Sequence, residues 1–276
     1  RHDPGVTADP PGDRRPTRLT VLDQRDGNLF AAKKDGVFEL NVDTGAFTYL
    51  IHAEPDIRMR YNDGVLDRKG RILVGTKGDK DKMEGQGALW SCENNGDVRK
   101  LIPGCTVSNG VCFSHDGNTL YHIDSPTLEV CAYEYDFSTG NVSDRRVVTK
   151  IEGGGEPDGM CIDRDGMLWV AEHMGSKVCR WTPEGNLLFN LVPGGDARRL
   201  FRSIRRLMEE YKAQIVLIPF HYSEDMAVIE EIEKRLGSGV CCIKHKYLTD
   251  EMLSIIGNMD ILVGVRLHAL IHAAIM

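Results

Sequence analysis

A glycine-containing turn recurs four times in the first two-thirds of the chain and constrains its fold more than any other feature. The turn glycines Gly27, Gly70, Gly117 and Gly166 lie 43, 47 and 49 residues apart. Each turn separates two short apolar runs, and each run is long enough for one β-strand. Repeats of this length and content are typical of β-propeller blades, in which each repeat forms one four-stranded sheet. The sequence therefore predicts a mainly β fold with a partial propeller of about four blades.

Three of the four repeats carry a polar residue at an equivalent point, close before the first apolar run. These residues are Asn62, Asn109 and Asp158, and a glycine follows each within two positions. Equivalent strand ends of a propeller converge on a central channel, so the three side chains are expected to face one another. Their oxygens would suit a hard cation. The alternative is that these are turn dipeptides only, but three copies at one point favour the channel site.

The chain is predicted to contain two structural units joined at residues 193–195, a Pro-Gly-Gly sequence. Residues 1–18 are rich in Pro, Asp, Arg and Gly, and we expect them to form a disordered lead-in. The β-propeller region then occupies residues 19–192. Short apolar runs and Gly-containing turns alternate throughout this region, and no helix is expected in it.

Residues 196–276 have the pattern of an α/β segment. Asp196 can cap a first helix, and residues 215–218 form a continuous apolar run typical of a parallel strand buried on both faces. Further helices are predicted over 223–236 and 249–256, with strands over 240–243 and 261–265. This alternation predicts a truncated Rossmann-like segment.

Charge and hydropathy argue against two classes of partner. The net charge is −7, and residues 196–276 carry 11 basic and 11 acidic residues, so the negative excess lies before residue 196. This acidic balance argues against nucleic acid as a partner. No apolar run reaches the length of a membrane span. The eight cysteines are scattered without a CxxC pair, which favours reduced thiols in a cytoplasmic protein.

Several motifs, in one order along residues 19–192, resemble the regucalcin (senescence marker protein)/gluconolactonase family. They are RYNDG at 60–64, SNG at 108–110, YHIDS at 121–125, PDGMCID at 157–163 and GMLWVA at 166–171. The resemblance implies a propeller of the six-bladed type, of which this chain would hold only part. It also implies hydrolysis of a sugar lactone with a divalent metal, calcium or zinc, with manganese and magnesium as further candidates.

The same resemblance assigns roles to four residues. Asn109 and Asp158 match metal ligands, while Arg60 and Asn62 match residues that hold the substrate. Asp158 is also the predicted catalytic residue, because it could take the proton of a metal-activated water. Arg60 could hold the developing oxyanion or the sugar hydroxyls.

Two features of that family have no clear counterpart in this chain. A metal-binding Glu is expected in a Leu-Gly-Glu-Gly-Pro-like motif of the first blade, and no such motif occurs. An acidic substrate contact is expected after the Gly-Thr pair at 75–76, where the candidates are Asp79, Asp81 and Glu84. These departures predict an impaired site.

The C-terminal part resembles a second family, the polysaccharide pyruvyl transferases, through residues 214–225 and 265–271. The resemblance implies that Arg266 and His268 contact the phosphate or carboxylate of phosphoenolpyruvate. An Arg and a His at a helix N-terminus would form a good anion site. The alternative is a structural Arg and a core His, and the pattern alone does not decide between them. His221 is a looser candidate for the same cleft.

These observations lead to three hypotheses for a chain that resembles a chimera of two incomplete enzymes. The first is a metal-dependent sugar lactone hydrolase carried by residues 19–192. The second is a polysaccharide pyruvyl transferase that uses phosphoenolpyruvate. The third is a non-catalytic chimeric chain. The first is preferred because its resemblance covers more of the chain.

Overall fold

The computed structural model describes residues 20–25, 28–41, 44–175, 177–191, 197–210, 212–218 and 222–244, and within these ranges four antiparallel sheets contain four strands each. The first sheet contains β1 (Thr20–Arg25), β2 (Asn28–Lys33), β3 (Gly36–Asn41) and β4 (Phe47–Ile51). The second contains β5 (Met59–Leu66), β6 (Ile72–Gly78), β7 (Gly87–Cys92) and β8 (Val98–Cys105). The third contains β9 (Ser108–Phe113), β10 (Thr119–Asp124), β11 (Glu129–Asp136) and β12 (Asn141–Lys150). The fourth contains β13 (Glu156–Ile162), β14 (Leu168–His173), β15 (Lys177–Trp181) and β16 (Leu187–Leu191).

The recurring glycine turns join the first two strands of a sheet. Gly70, Gly117 and Gly166 have φ values of 82°, 78° and 81°, in the left-handed region that favours glycine. The carboxylate of Asp163 accepts two backbone hydrogen bonds within its own turn, at 3.0 and 2.9 Å. This side chain therefore closes the turn locally, as Asp does in Asx turns. Gly27 lies outside the described residues.

The first strand of each sheet lies beside the first strand of the next sheet. β1 packs on β5, β5 on β9, and β9 on β13. Apolar cores fill the spaces between neighbouring sheets, and their fully buried members include Val37 and Val74, Leu73 and Leu120, and Ile123 and Val170. The four sheets are therefore consecutive blades around their inner strands, which confirms the prediction of a mainly β fold with a partial propeller.

Side chains of the hairpin turns also link the second blade to the third and the third blade to the fourth. Arg68 of the second blade donates hydrogen bonds to the carbonyl oxygens of His115 and Asp116 in the third. His115 Nε2 lies 2.8 Å from the carbonyl oxygen of Asp163 in the fourth blade. The turns of these three blades thus form a connected series of contacts.

Beyond the fourth blade, the described residues form an α/β unit. It contains α1 (Ala197–Glu210), β17 (Ile215–Leu217), α2 (Tyr222–Leu236) and β18 (Val240–Cys242). β17 and β18 pair in parallel, so α2 is the crossover of a βαβ unit. These elements agree with the helices and strands predicted between residues 196 and 243. The predicted elements at 249–256 and 261–265 lie outside the described residues, and the wider Rossmann-like architecture stays a prediction.

Helix α1 packs on the fourth blade. Leu207 joins the apolar cluster of Trp169 and Phe189, and the guanidinium carbon of Arg206 lies 5.5 Å from the centre of the Phe189 ring. The helix therefore shares a core with the blade that precedes it. Within the described ranges, no helix is both long and apolar enough to cross a membrane. The predicted lead-in, residues 1–18, and the joint, residues 193–195, fall among the residues that are not described.

Candidate functional site

Each inner strand carries a β-bulge, and the bulges of the second, third and fourth blades contain or adjoin the predicted site residues. In the pairing of β5 with β6, Asn62 and Asp63 fall outside the register. Gly110 falls outside it where β9 pairs with β10, and Asp158 and Gly159 do so where β13 pairs with β14. A bulge turns side chains out of the regular alternation and is common beside active sites. The expectation that these polar residues stand at strand ends is therefore corrected, because they lie within the strands, at or beside the bulges.

Asn109 and Asp158 are in direct contact across the third and fourth blades. Asn109 Nδ2 donates a hydrogen bond to Asp158 Oδ1 and lies 3.1 Å from Ser125 Oγ. The approach of the two inner strands depends on Gly110, since a Cβ at that position would lie 2.5 Å from the Asp158 carbonyl oxygen. The sequence pattern placed these two side chains at one point, and the structure brings them together.

Asn62 and Arg60 extend this contact into the second blade. Asn62 Nδ2 donates to the Ser108 carbonyl oxygen at 2.9 Å, next to Asn109 in the chain. Arg60 Nη1 donates to Asn62 Oδ1 at 3.3 Å and to the Tyr61 carbonyl oxygen at 2.9 Å. Arg60, Asn62, Asn109 and Asp158 thus belong to one continuous polar group. The other two predicted site residues, Arg266 and His268, lie outside the described residues, as does His221.

Asp63 is an acidic member of this group to which the sequence analysis assigned no role. Burial raises the pKa of the Asp63 carboxyl to about 7, against the effect of a hydrogen bond from the Gly64 N–H, and the charge of Asp158 raises it further. A carboxyl whose pKa lies near neutrality is a common feature of functional sites. Its place directly after Asn62 in the sequence was the available signal, but an Asn-Asp-Gly sequence also resembles an ordinary turn.

Asp79 is the acidic residue after the Gly-Thr pair that is electrostatically coupled to Arg60. The hydrogen bond from Lys34 Nζ, at 2.5 Å, lowers the pKa of Asp79, and the charges of Lys34 and Arg60 add to this effect. Asp81 and Glu84, the other two candidates, are exposed. Of the three candidates, Asp79 is therefore the one that is coupled to a predicted substrate residue.

A Ser–His pair lies close to the polar group but is enclosed by protein. Ser108 Oγ and His122 Nε2 are 2.8 Å apart, and the two residues are 0% and 3% exposed. Burial lowers the pKa of His122 to about 4, so the imidazole is neutral at pH 7. A Cβ on Gly75 would lie 2.4 Å from Ser108 Oγ, which shows how tightly this hydroxyl is packed. The pair therefore acts in packing rather than as an accessible nucleophile.

The chemistry of the Asn109–Asp158 pair fits a hard divalent cation. A carboxylate and an amide supply oxygen ligands of the kind that calcium, magnesium and manganese prefer. Over the described parts of the chain, however, His, Cys, Asp and Glu side chains form no group of three that could hold a metal. The pair therefore fits the cation in kind, and the remaining ligands would have to come from other groups.

Comparison with known proteins shows which family the chain belongs to. The sequence profile of the SMP-30/Gluconolactonase/LRE-like region matches residues 7–194. The chain belongs to the SMP-30/gluconolactonase family. The matched residues include all four blades and every described site residue, so the fold and the site lie within the part that the family shares.

The chain is also similar to individual proteins named regucalcin. Regucalcin from Xenopus laevis is 38% identical over 164 residues, which are 57% of this chain and 52% of that protein. Human regucalcin is 41% identical over 129 residues, 45% of this chain and 43% of that protein. The chain therefore spans about half the length of the curated relatives it matches. The crystal structure of regucalcin from Agrobacterium tumefaciens strain C58, a calcium-binding protein, matches with a TM-score of 0.59 and 29% identity, covering 65% of this chain and 62% of that one.

Proposed function

We propose that this chain is a divalent-metal-dependent sugar lactone hydrolase of the gluconolactonase type. The observation that carries the proposal is the contact between Asn109 and Asp158 at neighbouring bulges, continuous with Arg60 and Asn62. Membership in a family that includes gluconolactonases supports the reaction class. The calcium-binding regucalcin of Agrobacterium tumefaciens supports a divalent metal.

The proposed roles follow from the chemistry of each side chain. Asp158 and Asn109 would hold the metal, which when bound lowers the pKa of water and polarises a carbonyl group. Asp158 accepts the proton of the attacking water, and Arg60 stabilises negative charge on the carbonyl oxygen. Asn62 donates to or accepts from a sugar hydroxyl. Water adds to the carbonyl carbon, the ring C–O bond breaks, and the released alkoxide takes back from Asp158 the proton of the water, so the product is a hydroxy acid.

The choice of metal follows from the ligand atoms. Asp158 and Asn109 offer oxygen and no sulfur or imidazole nitrogen, so the pair favours calcium, with magnesium or manganese next. Zinc, which is bound more often by nitrogen and sulfur, is the weaker candidate.

Hydrolysis of glucono-lactone by the purified chain tests the proposal. Rates are measured with calcium, manganese, magnesium or zinc and after chelation, beside Asp158→Ala and the surface control Glu134→Ala. We expect rates above the spontaneous background that require both metal and Asp158, with Glu134→Ala unaffected. Background rates in every metal would exclude lactone hydrolysis by this chain, and metal binding without turnover would favour a non-catalytic binding role.

Pyruvyl transfer from phosphoenolpyruvate remains the alternative prediction for the C-terminal part of a chimeric chain. Its support in the structure is limited to the parallel βαβ unit of β17, α2 and β18. Thermal stabilisation of the chain by phosphoenolpyruvate, lost in Arg266→Ala, would favour it. A melting temperature that phosphoenolpyruvate leaves unchanged would contradict it.

A further inference from the structure

Ser125 occupies a fixed position between the two predicted metal ligands. It begins a short 3-10 turn directly after β10 and is 4% exposed. Its backbone N–H donates to the Val107 carbonyl oxygen at 3.1 Å, and its own carbonyl accepts from the Leu128 N–H at 3.1 Å. The backbone of Ser125 is therefore held independently of its side chain.

The Ser125 hydroxyl contacts both blades that form the site. Its Oγ lies 2.6 Å from the Pro157 carbonyl oxygen, which belongs to the peptide group that precedes Asp158. The same Oγ lies 3.1 Å from Asn109 Nδ2. One hydroxyl thus links the backbone before Asp158 to the side chain of Asn109.

Counting the protons determines the direction of both hydrogen bonds. A serine hydroxyl has a single proton, and a carbonyl oxygen can only accept, so the proton points to Pro157. Ser125 Oγ can then only accept from Asn109, which must present its NH2 group. An amide that presented its oxygen would place two lone pairs in contact. The second N–H of Asn109 is directed to the Asp158 carboxylate.

We propose that Ser125 is a positioning residue that sets the orientation of the Asn109 amide, leaving the amide oxygen as the atom available to a bound cation. The inference rests on the proposed function, because it concerns the metal ligand of that site. With both N–H groups of Asn109 engaged by Ser125 and Asp158, the oxygen is the remaining ligand atom. Without the hydroxyl, the Asp158 carboxylate is the one of these two partners that still holds the NH2 group. The amide then rotates by half a turn more readily and presents its N–H groups to the cation site, where they would oppose binding.

The test compares Ser125→Ala and Ser125→Cys with the wild-type chain, using calorimetric titration with calcium and manganese. Removal of a residue that holds a metal ligand in place through a hydrogen bond typically weakens metal binding by about 10- to 100-fold. We expect Ser125→Ala to weaken binding by at least about tenfold. Cysteine keeps a donor and an acceptor at this position, both weaker than those of the hydroxyl, so Ser125→Cys should have an intermediate effect. Thermal unfolding establishes that both variants are folded.

A double-mutant comparison separates orientation from packing. In an Asn109→Asp background, a carboxylate presents oxygen in either rotamer, so no orientation is required. Ser125→Ala should then change metal affinity by less than about twofold, since the coupling between the two sites is lost. An equal loss of affinity in both backgrounds would overturn the inference and assign Ser125 to packing alone.

The metal-free protein provides a readout that does not depend on the proposed function. The side-chain amide protons of Asn109 are followed by NMR hydrogen exchange in the wild type and in Ser125→Ala. In Ser125→Ala we expect faster exchange of the Asn109 amide proton that is hydrogen-bonded to Ser125 Oγ in the wild type. An unchanged exchange rate would overturn the inference. If the wild type binds no divalent metal while Ser125 still protects the amide, the proposed function fails and the positioning role stands.

Discussion

Asn62 Nδ2 donates a hydrogen bond to the carbonyl oxygen of Ser108 at 2.9 Å. The predicted substrate residue of the second blade is thereby attached to the strand that carries Asn109. Because this contact crosses between inner strands, it couples the position of the substrate group to that of the metal ligand. The next blade interface repeats the relationship through Asn109 and Asp158.

Replacing Asn62 by Ala should weaken substrate binding more than it weakens the fold. The variant leaves the Ser108 carbonyl oxygen without this donor, at a cost of about 1 kcal/mol in the free energy of unfolding. It also removes the proposed sugar contact, and KM should rise about tenfold, which corresponds to about 1.4 kcal/mol. Steady-state kinetics and urea unfolding measure the two effects. Asn95→Ala, in an exposed turn, is the control, and equal KM values in both variants would contradict the prediction.

Replacing Gly110 by Ala should destabilise the interface of the third and fourth blades. The added Cβ would lie 2.5 Å from the Asp158 carbonyl oxygen and 2.9 Å from the Met160 Cβ. Overpacking against backbone typically costs about 1–3 kcal/mol, because the two strands must separate. Gly159→Ala is the matched control, since a Cβ there has nothing within 4 Å. Urea unfolding that gives the same stability for both variants would disprove the close approach.

Acidification should destabilise the fold through His122. Burial lowers its pKa to about 4, whereas an unfolded chain has a histidine pKa of about 6.5. Between these values the unfolded state binds the proton and the folded state does not, so stability falls as the pH falls. From pH 7 to pH 5 this group should account for a loss of about 2 kcal/mol. His122→Gln should flatten the pH dependence of urea unfolding, while the exposed His173→Gln should preserve it; the reverse outcome would contradict the assignment.

Removing the Asp163 carboxylate should be far more costly than removing that of Asp165. Asp163 Oδ2 accepts from Trp169 Nε1 and from Arg180 Nε, each at 2.7 Å. Arg180 is buried, so Asp163→Ala leaves a buried charge poorly compensated and should cost about 3 kcal/mol or more. Asp165 also contacts Arg180, but its side chain is 76% exposed, and Asp165→Ala should cost less than about 1 kcal/mol. Similar unfolding midpoints for the two variants would rule out this difference.

The sequence predicted the inner hairpins better than the outer strands, and the reason is physical. The turns at Gly117 and Gly166 require local chemistry that is visible in a few consecutive residues. The outer strands β8 and β12 have no clear strand pattern in the sequence, because they face solvent and carry polar runs such as residues 143–146. Hydrophobic alternation, the main signal for a strand, is weak in β8 and β12 because most of their side chains, on both faces, are exposed or half-buried.

The candidate site was likewise only partly visible in the sequence. Asn62, Asn109 and Asp158 could be found because each occupies the same point of a repeat. The raised pKa of Asp63 depends on its burial and on the charge of Asp158, and the position of Ser125 depends on a contact with Pro157, 32 positions later in the chain. No local pattern records which side chain a bulge turns towards a neighbouring strand.

The sequence by itself therefore determined the repeat, the turn chemistry and the polar residue types, since each depends on neighbours in the chain. The tertiary structure alone decided that the Asn109 amide donates to the Asp158 carboxylate, that Ser125 lies between their blades, and that α1 packs through Leu207 on the fourth blade. These contacts arise from the packing of inner strands whose separation is set by a glycine at Gly110. Such packing is a property of several blades together, and a single repeat does not contain it.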